Sequence, residues 1–430
     1  MNRDLLDQLE QLLSILEQRA FLVAYSGGLD SHVLLHLMGQ IQDVDVRAVH
    51  IDHGLQEVSP WWSRHCRDVA AELNIPLERR SLNLKVPEGE SVEAYARQAR
   101  YEAFREILKP NEILLTAHHQ NDQAETLLIQ LLRGAGGAGL SAMPMITSFA
   151  SGQLFRPLLN TSRDDLEAYA EQYQLNFVED AMNADLRFDR NFLRHEVLPI
   201  LKARWPACHQ TLSRAALLQA ETQRLLESYV SQDLEFMVGR VEGTLSCELI
   251  LQCQPERRRA LIRQWVVNSG FRLPSSKKLQ HIISDLFQAS QDAMPLITWE
   301  GAELRRYKDD VYIMPPLSEH DIYQSFDWNA EQDLYIDSLS LTLESQYLDA
   351  WKGQSDQVGA DFTVSFRQGG EVIKPAGSDK TIPLKQVFQE FMVPPWLRGR
   401  IPLLFLGDEL IVVWGVCQVD PEEFDLAGAD

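Results

Sequence analysis

The spacing of apolar and polar positions divides the chain into regions of different period. Short apolar runs at residues 21–25, 45–51, 77–84 and 113–117 read as strands. Between them, roughly over 31–40, 60–74 and 91–109, apolar residues recur at helical spacing. Strands alternating with helices predict an α/β fold whose parallel sheet is covered on both faces. Ligands of such sheets bind at the C-terminal strand ends, near the point where strand order reverses. From about residue 205 the period is helical, over 209–238, 255–269 and 276–289, which predicts a mainly helical second domain. Residues 296–314 alternate like strands, and the polar, acidic stretch 315–360 is expected to contain linker sequence. A third unit is expected from near Asp361, with strands at 361–367, 402–406 and 410–414 and a helix near 384–391. The predicted domains are 1–208, 209–355 and 356–430.

The punctuation between these elements carries the chemistry. Ser26-Gly27-Gly28-Leu29-Asp30-Ser31 lies between the first strand and the first helical run. Strand, glycine turn and helix make an anion cradle, because glycines allow close backbone approach and the helix start offers free amides. The Ser26 and Ser31 hydroxyls add donors. Asp30 in such a cradle repels an anion unless a cation bridges them, which implies Mg²⁺. No Gly-Lys-Ser/Thr follows, so this is not a Walker A loop. It resembles the pyrophosphate loop of the ATP pyrophosphatases.

Further motifs end the later strands. His50-Ile51-Asp52-His53-Gly54-Leu55 closes the second strand, with Asp52 and His53 as candidate nucleotide contacts. Arg97, Arg100 and Tyr101 share one helical face, either a solvated surface or a cationic ridge toward phosphate. Thr116-Ala117-His118-His119-Gln120-Asn121-Asp122-Gln123-Ala124-Glu125 follows the fourth strand and opens a helix. His118, Asp122 and Glu125 fall on one face if that helix starts early; the alternative is capping by Asn121 or Asp122. Gly134 to Gly139 is too glycine-rich for helix and reads as a mobile loop beside the site. Ser162 and Asp165 have N-cap spacing. Asn183, Arg190, Asn191 and Arg194, Arg257-Arg258-Arg259, and Arg367 with Trp396 and Arg398 are candidate RNA contacts, Trp396 as a stacking surface.

Composition limits the options. The 430 residues carry a net charge of −22, so any nucleic-acid contact must come from local basic patches. Five scattered cysteines without a Cys-x-x-Cys suit a reducing compartment and weigh against a zinc ribbon or iron–sulfur cluster. No apolar run reaches membrane-span length, and Asp4, Asp7 and Glu10 make the N-terminus an amphipathic helix instead of a signal peptide. A cytoplasmic protein without membrane contact is expected.

Five motifs occur in order: Ser-Gly-Gly-x-Asp-Ser, His-x-Asp-His-Gly-Leu, Glu-x-x-Ala-Arg-x-x-Arg-Tyr from Glu93, His-His-x-x-Asp-Gln-x-Glu-Thr, and Arg-Gly-x-Gly-x-x-Gly-Leu from Arg133. Together with Arg367-Gln368-Gly369-Gly370-Glu371 and Pro394-Pro395-Trp396-Leu397-Arg398, the set resembles the tRNA(Ile)-lysidine synthetases in their longer bacterial form. Asn121 departs from the acidic residue many members carry there. The resemblance implies a Rossmann-like catalytic domain, a mainly helical middle domain and a small mixed α/β C-terminal domain. It implies ATP and Mg²⁺ as cofactors. It also implies transfer of free L-lysine to C2 of the wobble cytidine of tRNA(Ile) with anticodon CAU, by way of an adenylated base. On that reading Asp30, Asp122, Glu125 and Arg97 are catalytic and Asp30 and Asp122 hold metal. Ser26, Gly27, Gly28, Leu29, Asp30, Ser31, Asp52 and His53 hold nucleotide. His118, His119, Arg100, Arg133, Arg190, Asn191, Arg194, Arg367, Trp396 and Arg398 meet lysine or tRNA. The alternatives are a tRNA thiolase on the same loop, an ammonia-using ligase, and a non-catalytic ATP-gated RNA-binding protein. Oligomeric state stays open, a dimer among the options.

Overall fold

The computed structural model describes residues 5–54, 59–87, 89, 92–180, 184–290, 293–351, 362–378 and 380–420. Leu55, Asn183, Asp361 and the acidic C-terminal tail fall outside them, as does the side chain of Glu93. The chain divides into two compact units, Met1–Ser228 and Tyr229–Asp430.

The first unit is built on six strands: β1 (Ala20–Ala24), β2 (Asp45–Asp52), β3 (Leu77–Ser81), β4 (Glu112–Leu115), β5 (Ile146–Phe149) and β6 (Gly152–Phe155). Their order is β3-β2-β1-β4-β6-β5, parallel except for the β5–β6 hairpin at the edge. The helices are α1 (Leu5–Ser14), α2 (Leu29–Met38), α3 (Ser59–Glu72), α4 (Val92–Ile107), α5 (Gln120–Leu132), α6 (Gly137–Leu140), α7 (Arg163–Gln172), α8 (Asp189–Phe192), α9 (Leu198–Arg204) and α10 (Cys208–Leu234), with a π turn at Leu193–Val197.

The central strand shows why the sheet is covered twice. Successive side chains of a strand point to opposite faces. Phe21 and Val23 join the core cluster containing Leu9, Leu34 and Leu166, whereas Leu22 joins Val49, Phe104 and Leu114. All three β1 side chains are fully buried, so the run is continuously apolar. The chain builds outward from β1 to β2 and β3, then returns to place β4 on the other side. The loops after β1 and β4 therefore meet at the switch point.

Two expectations change. The glycine stretch is not open loop: Gly134 ends α5 with φ +70°, and Gly137–Leu140 then winds a helical turn. A Cβ on Gly139 would lie 2.6 Å from that of Ala135, so the missing side chain lets the turn close. The second change concerns residues 315–351. They form strands Phe326–Trp328, Leu334–Ile336 and Leu341–Leu343, and they bury Trp328, Ile336, Leu343, Leu348 and Trp351 among Phe362, Val364 and Leu403. Their scattered apolar residues are core anchors hidden in a polar background, so the C-terminal body starts well before residue 361.

That body centres on a five-stranded antiparallel sheet of Phe326–Trp328, Phe362–Ser365, Leu403–Leu406, Glu409–Val413 and Cys417–Gln418. The preceding region packs helices Cys247–Gln252, Pro255–Asn268 and Ser276–His281 against a four-stranded sheet, around Ile262, Trp265, Phe287 and Leu304. Within the arginine triplet, Arg257 pairs with Asp233, Arg259 with Glu256, and Arg258 donates to the carbonyls of Ile250, Leu251 and Cys253. Among the described residues no helix is long and apolar enough to cross a membrane.

If 315–351 is core, Trp351→Ala lowers the stability of the second unit by about 3–5 kcal/mol. Tyr335→Ala, at an exposed position in the same stretch, changes it by less than about 1 kcal/mol. Urea unfolding of the two variants followed by circular dichroism measures the contrast; equal, small effects would restore the linker reading.

Candidate active site

A cavity of about 1240 Å³ opens at the switch point, lined by the loops after β1, β2 and β4 and by α4, α7 and the 188–202 helical segment. The β1–α2 turn forms one wall. Gly27 has φ +87°, and a Cβ there would sit 2.8 Å from Cys66 Sγ, so both conformation and space require glycine. The Gly27 carbonyl accepts from the Val178 amide (2.9 Å), which fixes the turn from behind. Gly28 caps α2 without a side-chain hydrogen bond, leaving first-turn amides for a ligand. Ser26 and Ser31 hydroxyls lie 3.0 Å apart, and Ser31 Oγ also donates to the Gly28 carbonyl (3.0 Å).

The cation beside Asp30 is supplied by the protein. Arg163 Nη1 lies 2.5 Å from Asp30 Oδ1, and His119 Nε2 lies 3.7 Å from the same oxygen. The sequence expectation named only Mg²⁺ for this place.

The second wall is the start of α5. His119 is its N-cap: its Nδ1 accepts from the Asn121 amide (3.2 Å), and Asp122 Oδ2 accepts from the His119 amide (3.0 Å). This reciprocal pair is a capping box. The helix starts at Gln120, so His118 precedes it and does not share its face with Asp122 and Glu125. His118 reaches the same cavity from the strand end, held by Thr116 Oγ1 at 2.9 Å. Asn121 Oδ1 accepts from the Arg163 amide (3.3 Å), tying the starts of α5 and α7 together.

Asp122 and Glu125 point to Arg190 and Arg194. Arg190 Nε and Arg194 Nε each lie 2.7 Å from one oxygen of Glu125, and both Nη2 atoms lie 3.1 Å from Asp122 Oδ1. The Glu125 side chain is 1% exposed. Burial alone would raise the Asp122 carboxyl, but His119 and Arg190 outweigh it and hold it below the usual carboxylate range. Burial likewise opposes the charge on both arginines, and the two carboxylates reverse the effect and raise them. The result is a compact quartet of two carboxyl groups and two guanidiniums. Two nearby histidines stay neutral: burial pushes His118 down to about 3 and His53 to about 4, with Arg100 adding to the latter.

The remaining wall carries Arg97 and Arg100 of α4, with the Arg97 guanidinium 5.0 Å from the Tyr101 ring centre. Asp52 Oδ1 accepts from the Gly54 amide (2.8 Å) and shapes the turn after β2. Asn191 lines the cavity and donates to the Asp185 carbonyl (3.0 Å).

Other candidates lie elsewhere. Arg133 is the C-cap of α5, exposed and 3.8 Å from Asp189, and it does not line the cavity. Arg367, Trp396 and Arg398 belong to the second unit. Trp396 is not an open stacking surface: the Arg305 guanidinium covers it at 5.4 Å, and Tyr307 and Tyr312 meet it edge-on. Arg398 donates to the Val393 carbonyl and to Tyr307 Oη, both at 3.0 Å.

A curated tRNA(Ile)-lysidine synthase from Coxiella burnetii is 43% identical over 400 residues, covering 92% of this chain and 89% of its own. The chain belongs to the tRNA(Ile)-lysidine synthase family. A second such synthase, from Methylococcus capsulatus, is 40% identical over 401 residues, covering 91% and 90% of the two chains. Family models match as a PP-loop domain over residues 1–201, a TilS substrate binding domain over 245–312 and a TilS substrate C-terminal domain over 362–425. A solved structure of a U34-tRNA thiolase from Methanococcus maripaludis aligns at 17% identity and TM-score 0.41, covering 52% of this chain and 78% of that one.

Against that family background, Arg163 and Glu167 are cavity residues that sequence reasoning missed. The signal was present: Ser162 was readable as an N-cap, so Arg163 had to start a helix. What hid it was β6, whose short apolar run gives no strand pattern of its own.

Gly27→Ala is expected to cost about 1–3 kcal/mol through its positive φ and its contact with Cys66, and to weaken nucleotide binding. Adding Cys66→Ala removes the steric part alone. Thermal melts with and without ATP measure both; unchanged melting of the single variant would show that the turn tolerates a side chain.

Proposed function

We propose that this chain joins free L-lysine to C2 of the wobble cytidine of tRNA(Ile) with anticodon CAU, consuming ATP and releasing AMP and pyrophosphate. The carrying observation is that the anion cradle at Ser26–Ser31 and the Asp122–Glu125–Arg190–Arg194 quartet share one cavity in a member of this family.

On this reading the cradle amides and the Ser26 and Ser31 hydroxyls hold the β and γ phosphates. The unpartnered, buried Nδ1 of neutral His53, beside Asp52, suits a nucleoside contact. Mg²⁺ would neutralise charge between the phosphates. Asp30 suits that ion, which takes one or two carboxylates and completes its shell with phosphate and water. Asp122 suits it less, because Oδ1 already accepts from two arginines and Oδ2 from the His119 amide. Among the described residues no three His, Cys, Asp or Glu side chains gather as a metal cage.

The cytidine presents its C2 carbonyl oxygen to the α phosphate. That oxygen bonds to phosphorus as pyrophosphate leaves. A cytidine in an anticodon loop leaves its stack at small cost. Arg97 and Arg100 suit the flanking phosphates.

Lysine arrives as an ammonium and must lose a proton before its nitrogen attacks C2 and expels AMP. Glu125 and Asp122 are the carboxylates that suit its side chain, but each is already engaged by arginine. A further cation there meets a charge-balanced quartet, which favours release of its proton and so favours the nucleophilic amine.

Sulfur transfer fits the site less well. Cys66 is buried beneath the cradle and burial pushes its thiol up to about 12, so it is not a ready thiolate.

The direct test incubates the protein with ATP, radiolabelled lysine and unmodified tRNA(Ile). ATP-dependent label on the tRNA is expected, and its absence in active-folded material would reject the reaction. Arg194→Met removes one cation from the quartet. It is expected to move the ascending limb of the pH–rate profile upward by about one unit, since the ammonium then holds its proton more firmly. A downward or absent shift would show that the arginine does not act on that proton.

A further inference from the structure

Resting on that reaction, we propose that Arg163 is a nucleotide-contact residue that exchanges partners: it holds Asp30 while the cradle is empty of phosphate and transfers its guanidinium to the leaving pyrophosphate.

The argument starts from an apparent mismatch. A carboxylate at the mouth of an anion cradle opposes the ligand the cradle is shaped for. Arg163 Nη1 meets Asp30 Oδ1 at 2.5 Å and cancels that charge. Both side chains line the cavity and are about one-third exposed, 32% and 29%, so neither is locked in the core. The backbone of Arg163 is fixed twice. Its amide donates to Asn121 Oδ1 at 3.3 Å, and Ser162 caps α7 by accepting from the Asp165 amide at 3.1 Å. A fixed base and a part-exposed guanidinium suit a side chain that swings over a short arc.

Glu167, one turn on, accepts from Arg163 Nε at 2.9 Å. Loss of Asp30 as a partner therefore leaves the guanidinium supported and aimed from the same side. Asp30 would hold the Mg²⁺ of a bound metal–nucleotide, and Arg163 would then lose that partner. The released guanidinium has a planar fork that matches two phosphate oxygens. Asp30 trades an arginine for the metal, and the arginine trades one of its two carboxylates for phosphate. Asn121 gains a task here, since its carbonyl holds the base of the swing, which an amide performs as well as a carboxylate.

The test is a binding cycle on the full chain with inorganic pyrophosphate as probe, titrated calorimetrically in metal-free buffer. Asp30→Asn is expected to bind pyrophosphate about tenfold tighter than the wild type, because it removes repulsion and frees Arg163. Asp30→Asn/Arg163→Ala is expected to lose most of that gain, and Asp30→Asn/Arg163→Lys to keep part of it. A gain that survives Arg163→Ala intact would overturn the proposal. In steady state, Arg163→Ala is expected to raise KM for ATP about tenfold and leave KM for lysine unchanged; an equal rise in both would mark a merely structural role and overturn it as well. Arg163→Gln repeats each measurement should the alanine variant unfold. Pyrophosphate binding does not require lysine transfer, so a wild type that binds pyrophosphate as expected yet transfers no label rejects the reaction and not the exchange.

Discussion

Two carboxylates on one helix turn, Asp122 and Glu125, hold two arginines that lie about twenty helical turns away in sequence but in direct contact in space. The rest of the site depends on this quartet. Arg190 and Arg194 come from a segment that no strand aligns and that only Leu193 and Leu198 anchor as buried apolar side chains. Their four short contacts to α5 fix where that segment runs, and with it the far wall of the cavity. Breaking one partner of such a buried set leaves an uncompensated charge, at a cost of several kcal/mol. The same groups that give the wall its place also set the electrostatic conditions for an incoming amine.

Much of the first unit was legible because its signals are local. β1, β2 and β4 are apolar runs ended by polar motifs, and the parallel topology follows from the helices between them. The cradle at Ser26–Ser31 was legible for the same reason. What lay hidden depends on long-range pairing. Arg190 and Arg194 read as a basic helix face open to RNA, because nothing near them in sequence announces acidic partners. Asp30 read as needing a metal, because its arginine partner sits on the far side of α5 in sequence. Trp396 read as exposed because a short Pro-Pro-Trp segment gives no hint of Tyr312 or Arg305.

The region 315–351 failed for another reason. Its acidic residues dominate the local average, yet strands this short need only one or two inward side chains each. Trp328, Ile336, Leu343, Leu348 and Trp351 meet that need. An average over a window misses anchors spaced this widely.

The π turn at Leu193–Val197 begins three residues after Arg190 and includes Arg194. A π turn holds one residue more than an α turn. Removing a single residue there would let the stretch relax into regular helix and rotate everything beyond it by roughly 100°. Leu198, which is buried, and Lys202, which reaches Asp164, would then leave their partners even though every arginine and carboxylate remained in the chain. The length of this segment is thus a determinant in its own right, and a substitution scan that preserves length would never reveal it.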